Sequence, residues 1–152
     1  MKIVCAGHFL AEGLRQAGQT QLDEAIFDIV SHLNAALDLI TDRDERLALF
    51  DLNMRAARKA KASTAYEPAL RHFDVAASLL PEDAWRTHPD VMREVAREKA
   101  DVAYLLGDFA RAEALLDEAL ARTPDRFQKV EIFLQQLIQY NQLGNYNAMM
   151  AR

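Results

Sequence analysis

The chain has one cysteine, five glycines, four prolines and one tryptophan in 152 residues. Each shortage excludes something. Cys5 has no second cysteine to pair with, so no internal disulfide holds the fold, and a reducing, cytoplasmic setting is expected. The glycines stand singly at positions 7, 13, 18, 107 and 144. A phosphate loop needs clustered glycines followed by Lys and Ser or Thr, so that backbone N–H groups can turn toward the phosphates. None is present, and no cofactor or metal is expected. There is no excess of positive charge: 18 Lys and Arg face 23 Asp and Glu, a net charge of −5. A nucleic-acid partner would require a basic face. No apolar run approaches the length that spans a bilayer, so no membrane partner is expected. The opening Met1-Lys2-Ile3-Val4-Cys5-Ala6-Gly7 hints at a signal peptide, but His8 and Glu12 interrupt the apolar run too early.

What remains is an ordinary soluble composition, 51% hydrophobic and 27% charged. Alternating strand patterns are absent, and helical periodicity runs nearly throughout. A first helix is expected from Ile3 to Gln16. A second follows Thr20 as its cap, with an apolar stripe of Ile26, Ile29, Val30, Leu33, Leu37 and Ile40. Asp42 caps a third helix, with Glu45 three residues on. Thr64 reads as the cap of a fourth, with Glu67 completing a capping box and Pro68 tolerated in the first turn. Between Pro81 and Pro89 lies an irregular stretch whose Trp85 is expected to plug the helix ends. Helices then follow from about Pro89 to Leu106 and from Asp108 to Arg122. A last one opens at Thr123-Pro124, with Pro at its first position, and ends near Leu143.

Two of these segments share one pattern. Tyr66, Ala69, Phe73, Ala76 and Pro81 recur as Phe109, Ala112, Leu116, Ala119 and Pro124, the second set preceded by Gly107. Aromatic to alanine is three residues and aromatic to proline fifteen in both. Small residues suit places where two helices approach closely, the aromatic is expected to plug the gap between them, and proline stops the second helix. The spacing resembles that of tetratricopeptide repeats, helix hairpins that bury their apolar faces against their neighbours. The two aromatics lie 43 apart, against about 34 in an ordinary repeat, and the loop around Trp85 supplies the excess. The expected fold is therefore all-α: one domain of antiparallel helix hairpins forming a right-handed solenoid of about seven helices. Its repeats would span approximately 43–81, 89–124 and 125–152. The third restarts at Gly144-Asn145-Tyr146 and is incomplete, so a fragment of a longer chain is expected, or a homodimer covering this end through Met149 and Met150.

Three strings go further. Phe27-Asp28-Ile29-Val30-Ser31-His32-Leu33-Asn34 is one, and Leu52-Asn53 continuing through Ala56 and Ala60 to Lys61-Ala62-Ser63-Thr64-Ala65-Tyr66 is another. The third is Leu79-Leu80-Pro81 with Asp83 and Trp85. Together they resemble the helical-repeat segment of very large bacterial signalling proteins. In that family a serine/threonine-kinase-like domain precedes an ATPase domain of the signal-transducing type, and sensor and histidine-kinase domains often close the chain. The resemblance implies a place in a signalling cascade. The family's kinase and ATPase motifs are absent from these residues, so the segment itself is not expected to be an enzyme.

The candidate contact residues lie on the first helix of each hairpin, which lines the concave side of such solenoids. They are Asp51, Met54, Arg58 and Lys61, then Glu94, Arg97, Asp101 and Tyr104. A protein or peptide, or neighbouring domains of the same chain, would bind there. A second reading is a small-molecule sensor in which Tyr104 or Trp85 stacks on the ligand. A third is histidine phosphotransfer at His32, with Asp28 one turn earlier to orient the imidazole. Against it stands the ordinary expectation of a partly buried histidine bonded to a neighbour. His8, His72 and His88 are expected at the surface or in loops. The run Arg55, Arg58, Lys59 and Lys61 reads as a solvated face.

Overall fold

The computed structural model describes residues 19–142, with side chains from residue 25 onward. The helix expected over 3–16, Cys5, His8, the Gly144-Asn145-Tyr146 restart, Met149 and Met150 lie outside the described residues. Those residues form seven α-helices, one 3-10 turn and no strand, the all-α fold that the periodicity predicts. They fall into two compact units, one ending at Leu80 and one starting at Pro81.

The first unit holds α1 (Gln19–Ala35), a 3-10 turn (Leu37–Leu39), α2 (Arg43–Ala62) and α3 (Tyr66–Leu79). Thr20 lies within the span of α1 and not ahead of it, and the helix expected to carry the stripe on to Ile40 ends at Ala35. Asp42 caps α2 as predicted: its carboxylate accepts the N–H groups of Asp44 at 2.9 Å and Glu45 at 3.1 Å. Ile26 and Val30 of α1 pack on Leu52 and Ala56 of α2, with Ile29 and Leu33 at the margin. The α2 and α3 helices pack along one another as an antiparallel pair. Ala69, Phe73 and Ala76 are fully buried, as their spacing predicts. Arg46 in the first turn of α2 donates to the carbonyls of Ser78 and Leu79 at the far end of α3, tying the open end of the pair.

The turn between α2 and α3 corrects one reading. Thr64 does not cap α3; the capping position is Ala65, whose side chain accepts nothing. Thr64 instead ends α2 in the left-handed region, at φ 59°. Its N–H bonds the carbonyl of Lys61, and the N–H of Ala65 reaches back to Ala60. This six-to-one and five-to-two pairing closes a helix end whose orphan carbonyls would otherwise face solvent.

The second unit holds α4 (Ala84–Thr87), α5 (Pro89–Leu105), α6 (Phe109–Arg122) and α7 (Arg126–Gln142). The stretch expected to be irregular thus contains one helical turn. The turn between α5 and α6 repeats the first one bond for bond. Gly107 stands at φ 81° with its N–H on Tyr104, and the N–H of Asp108 reaches Ala103. Here the capping side chain is present: Asp108 accepts the N–H of Arg111 at 3.1 Å. Ala96 and Ala100 of α5, Leu116 and Ala119 of α6 and Ile132 of α7 share one core, against which Trp85 packs. The Arg122 guanidinium sits 5.7 Å from the Trp85 ring. Pro124 precedes α7 without opening it, and Asp125 caps that helix through the N–H of Gln128 at 2.9 Å.

Candidate functional site

The eight candidate contact residues fall on α2 and α5, one row in each unit. On α2, Asp51 and Arg58 are exposed and Lys61 is half-buried, but Met54 is buried. Met54 is therefore a core side chain and is withdrawn from the contact set. Burial pushes the Asp51 carboxyl above the usual carboxylate range, with Arg55 pulling the other way. On α5, Glu94 is exposed while Asp101 and Tyr104 are half-buried. Arg97 is committed within its own unit. Its guanidinium meets Glu131 of α7 at 2.5 Å and Gln135 at 3.1 Å, and Gln135 donates back to the Arg97 carbonyl at 2.9 Å. Arg93 extends this seam through Gln128 at 3.0 Å. Within the α5 row, Arg97 is thus a residue that holds α7.

Two polar groupings escaped the sequence reading. In the first unit Asn53 is 0% exposed, yet its side chain bonds three helices together. Asn53 and Asn34 of α1 exchange amide hydrogen bonds, and Asn53 also donates to the carbonyl of Leu49 at 3.0 Å. His72 of α3 lies 3.3 Å from the same Asn53 oxygen through Nδ1. An amide oxygen only accepts, so His72 carries its proton on Nδ1. His72 is half-buried, not at the surface as expected, and burial pushes its pKa below the ordinary 6.5, with Arg71 adding to the effect. Phe27 closes the cluster, its ring 6.1 Å from the imidazole and 5.2 Å from the Lys59 ammonium. His32, by contrast, is exposed, as is Asp28, so the expected partly buried histidine is not what the structure shows. His88 sits at the start of α5, with Nδ1 2.8 Å from the Thr87 hydroxyl.

In the second unit a cavity of about 220 Å³ opens where α5, α6 and α7 meet. Tyr104, Phe109 and Tyr140 supply its rings, and Glu113, Gln136 and Gln139 its polar groups. Phe109 was expected to plug the hairpin. It is 44% exposed, its ring lies tilted against Tyr104 with centroids 5.3 Å apart, and it forms part of this wall. Tyr140 donates to Glu113, and Gln136 donates to Asp117 at 2.9 Å. The Gln139 amide nitrogen is buried without a hydrogen-bond partner. A buried donor in that state costs about 1–3 kcal/mol, which an acceptor entering the cavity would recover. Among the described residues no group of three or more His, Cys, Asp or Glu is placed to hold a metal. Nor, among them, is any helix long and apolar enough to cross a membrane.

Comparison with known proteins gives one informative match. The chain is 32% identical over 124 residues to a hybrid signal transduction histidine kinase, kinase G, of Dictyostelium discoideum. The match takes in 76% of this chain and 4% of that protein, so the chain spans a small fraction of the relative's length. No known family pattern matches the chain, and no solved structure matches it. The likeness is therefore to one segment of a signal-transduction protein.

Proposed function

We propose that this chain is a non-catalytic helical module of a signal-transduction protein, one that makes protein contacts or relays a change between flanking domains. The match to a segment of a hybrid histidine kinase carries the reading. Two antiparallel hairpins with the same turn support a repeat of the tetratricopeptide kind, a rigid scaffold whose exposed rows recognise other chains. A cytoplasmic location and a bacterial kinase–ATPase parent go with the resemblance. The exposed members of the candidate row, Asp51, Arg58 and Glu94, are the contact residues we assign to a protein partner. An immunoblot of the source cells tests the module reading. A band far above 17.2 kDa supports it, and a band at 17.2 kDa overturns it.

The α5–α6–α7 cavity favours a second reading, a small-molecule sensor. Its ligand would stack on Tyr104 and Tyr140 and accept a hydrogen bond from Gln139. Trp85 is not among the lining residues, so tyrosine fluorescence and thermal shift are the measurements to use. A metabolite that raises the melting temperature of the chain but not of Gln139→Leu supports this reading. Phosphotransfer at His32 stands third: label on the chain that vanishes in His32→Gln would establish it, and no label would remove it.

A further inference from the structure

One buried donor in the second unit has nothing to bond, and it stands on the wall of a cavity. Gln139 is 7% exposed and its amide nitrogen is without a hydrogen-bond partner. It lines the space of about 220 Å³ where α5, α6 and α7 meet. Native interiors rarely leave such a group unbonded, so it points to an acceptor that enters the cavity. We propose that the cavity takes a neutral, planar aromatic molecule with an amide-like edge, an acceptor beside an N–H donor. The proposal rests on the small-molecule reading above and names the ligand class for it.

Charge removes two other classes. Of the described side chains that line the cavity, Glu113 is the acid and none is Lys, Arg or His. Gln136, also on the wall, donates to a second carboxylate, Asp117, at 2.9 Å. A carboxylate or phosphate ligand would enter against these charges with no cation in the wall to pair with. A simple organic cation would suit Glu113 and the rings. It would offer nothing to Gln139, because an amide nitrogen only donates. A ligand that serves both groups carries an acceptor for Gln139 and a donor for Glu113. Tyr140 already donates to Glu113 but does not exhaust it, since a carboxylate offers about four acceptor sites.

The rings set the shape. Tyr104 of α5, Phe109 of α6 and Tyr140 of α7 bring one ring from each helix. Tyr104 and Phe109 meet at 57° with centroids 5.3 Å apart. Rings arranged this way take a flat guest by face and edge. Gln136, Gln139 and Tyr140 stand at i, i+3 and i+4 on α7, so the unbonded donor and a ring share one side of the helix. A cavity of about 150 Å³ holds benzene. The larger space here therefore takes one ring with a planar substituent.

Three probes of one shape separate the classes. Benzamide is neutral and carries both an acceptor and a donor. Benzamidine is a cation with donors only, and benzoate an anion with acceptors only. Each is titrated into the nitrogen-15-labelled 152-residue chain, and the side-chain amide signal of Gln139 is followed, assigned by its loss in Gln139→Leu. Benzamide should shift that signal and bind at least about fivefold more tightly than either of the others, the worth of one net hydrogen bond. Gln139→Leu should erase the preference for benzamide over benzamidine and leave benzamidine binding unchanged. Glu113→Gln keeps the side chain's shape and should narrow the preference over benzoate, with helicity unchanged by circular dichroism in both variants. Benzamidine or benzoate binding the parent chain as tightly as benzamide would overturn the ligand class and leave the sensor reading standing. No shift from any of the three up to millimolar concentration would also overturn the proposal. A metabolite that still raised the melting temperature would then keep the sensor reading, and none doing so would end both.

Discussion

Asn34 and Asn53 exchange a pair of amide hydrogen bonds across the first unit, each 2.9 Å long. The pairing lets a polar side chain with no exposed surface sit in an otherwise apolar interface. It also fixes the register of α1 on α2, because each amide matches both a donor and an acceptor of the other. A slide of α1 by one turn would leave Asn53 buried with part of its hydrogen bonding unmade.

Asn53→Ala should therefore destabilise the chain by about 1–3 kcal/mol, since Asn34 and His72 both lose a partner while the cavity stays small. Adding Asn34→Ala to that variant should cost much less than Asn34→Ala alone. Urea unfolding of the two single variants and the double variant measures the coupling. Additive losses would mean that the reciprocal pair contributes nothing as a pair.

The two hairpin turns make the next prediction. Thr64 occupies the left-handed position that Gly107 fills in the second unit, and a β-branched residue is poorly suited to it. Thr64→Gly should leave stability unchanged or raise it by up to about 1 kcal/mol, the relief of strain being partly offset by the freer unfolded chain. Ala65→Asp should add about 1 kcal/mol by supplying the cap that Asp108 provides in the matching turn. Gly107→Ala should lose about 1 kcal/mol. Its new methyl group would meet nothing within 4 Å, so the loss comes from the backbone alone. Thermal melts of the three variants should show the opposite signs.

These turns also show how far the sequence could be read. Helical periodicity and the paired alanine spacings located six of the described helices, because those signals come from burial on one face. Thr64 was misread because a threonine three residues before a glutamate satisfies a capping pattern. Nothing local distinguishes it from a residue ending the preceding helix. The Asn53 cluster was invisible because Asn34, Asn53 and His72 come from three helices and only packing unites them. The same holds for Arg97, which looked like a surface cation until α7 came to lie beside it. In α7, Phe127, Val130, Leu134 and Ile138 recur at helical spacing and mark one face of the helix. What the pattern alone could not say is that the two glutamines, not this row, turn inward.

Titration of His72 gives the chain an acid sensitivity in a defined window. Its folded pKa lies below the ordinary 6.5, chiefly through burial. As the pH falls through 6.5 the unfolded chain takes up the proton first, so stability declines from there down to the folded value and levels off below it. His72→Asn keeps an N–H donor toward Asn53 and removes the titration. Its stability should be flat over that window where the parent's falls. Urea midpoints between pH 5 and 7.5 compare the two, and parallel curves would show that other groups set the acid response.

Arg97 and Glu131 carry the last prediction, because they decide how a binding experiment on this chain is interpreted. Their side chains are 35% and 60% exposed, so the ion pair by itself is worth little. The arrangement around it gives it more weight. Gln135 accepts from the same guanidinium and donates to the Arg97 carbonyl, so three groups hold α7 to α5. Arg97→Glu removes these donors and sets two carboxylates together, and should cost about 1 kcal/mol. Adding Glu131→Arg should return part of that loss, and hydrogen exchange should show α7 loosened in the single variant and less so in the swap. If a partner binds the exposed part of the α2 row, Arg58→Glu weakens it with α7 intact. Lost binding in Arg97→Glu that the swap restores would instead report a displaced α7, with Arg97 acting as a brace rather than a contact.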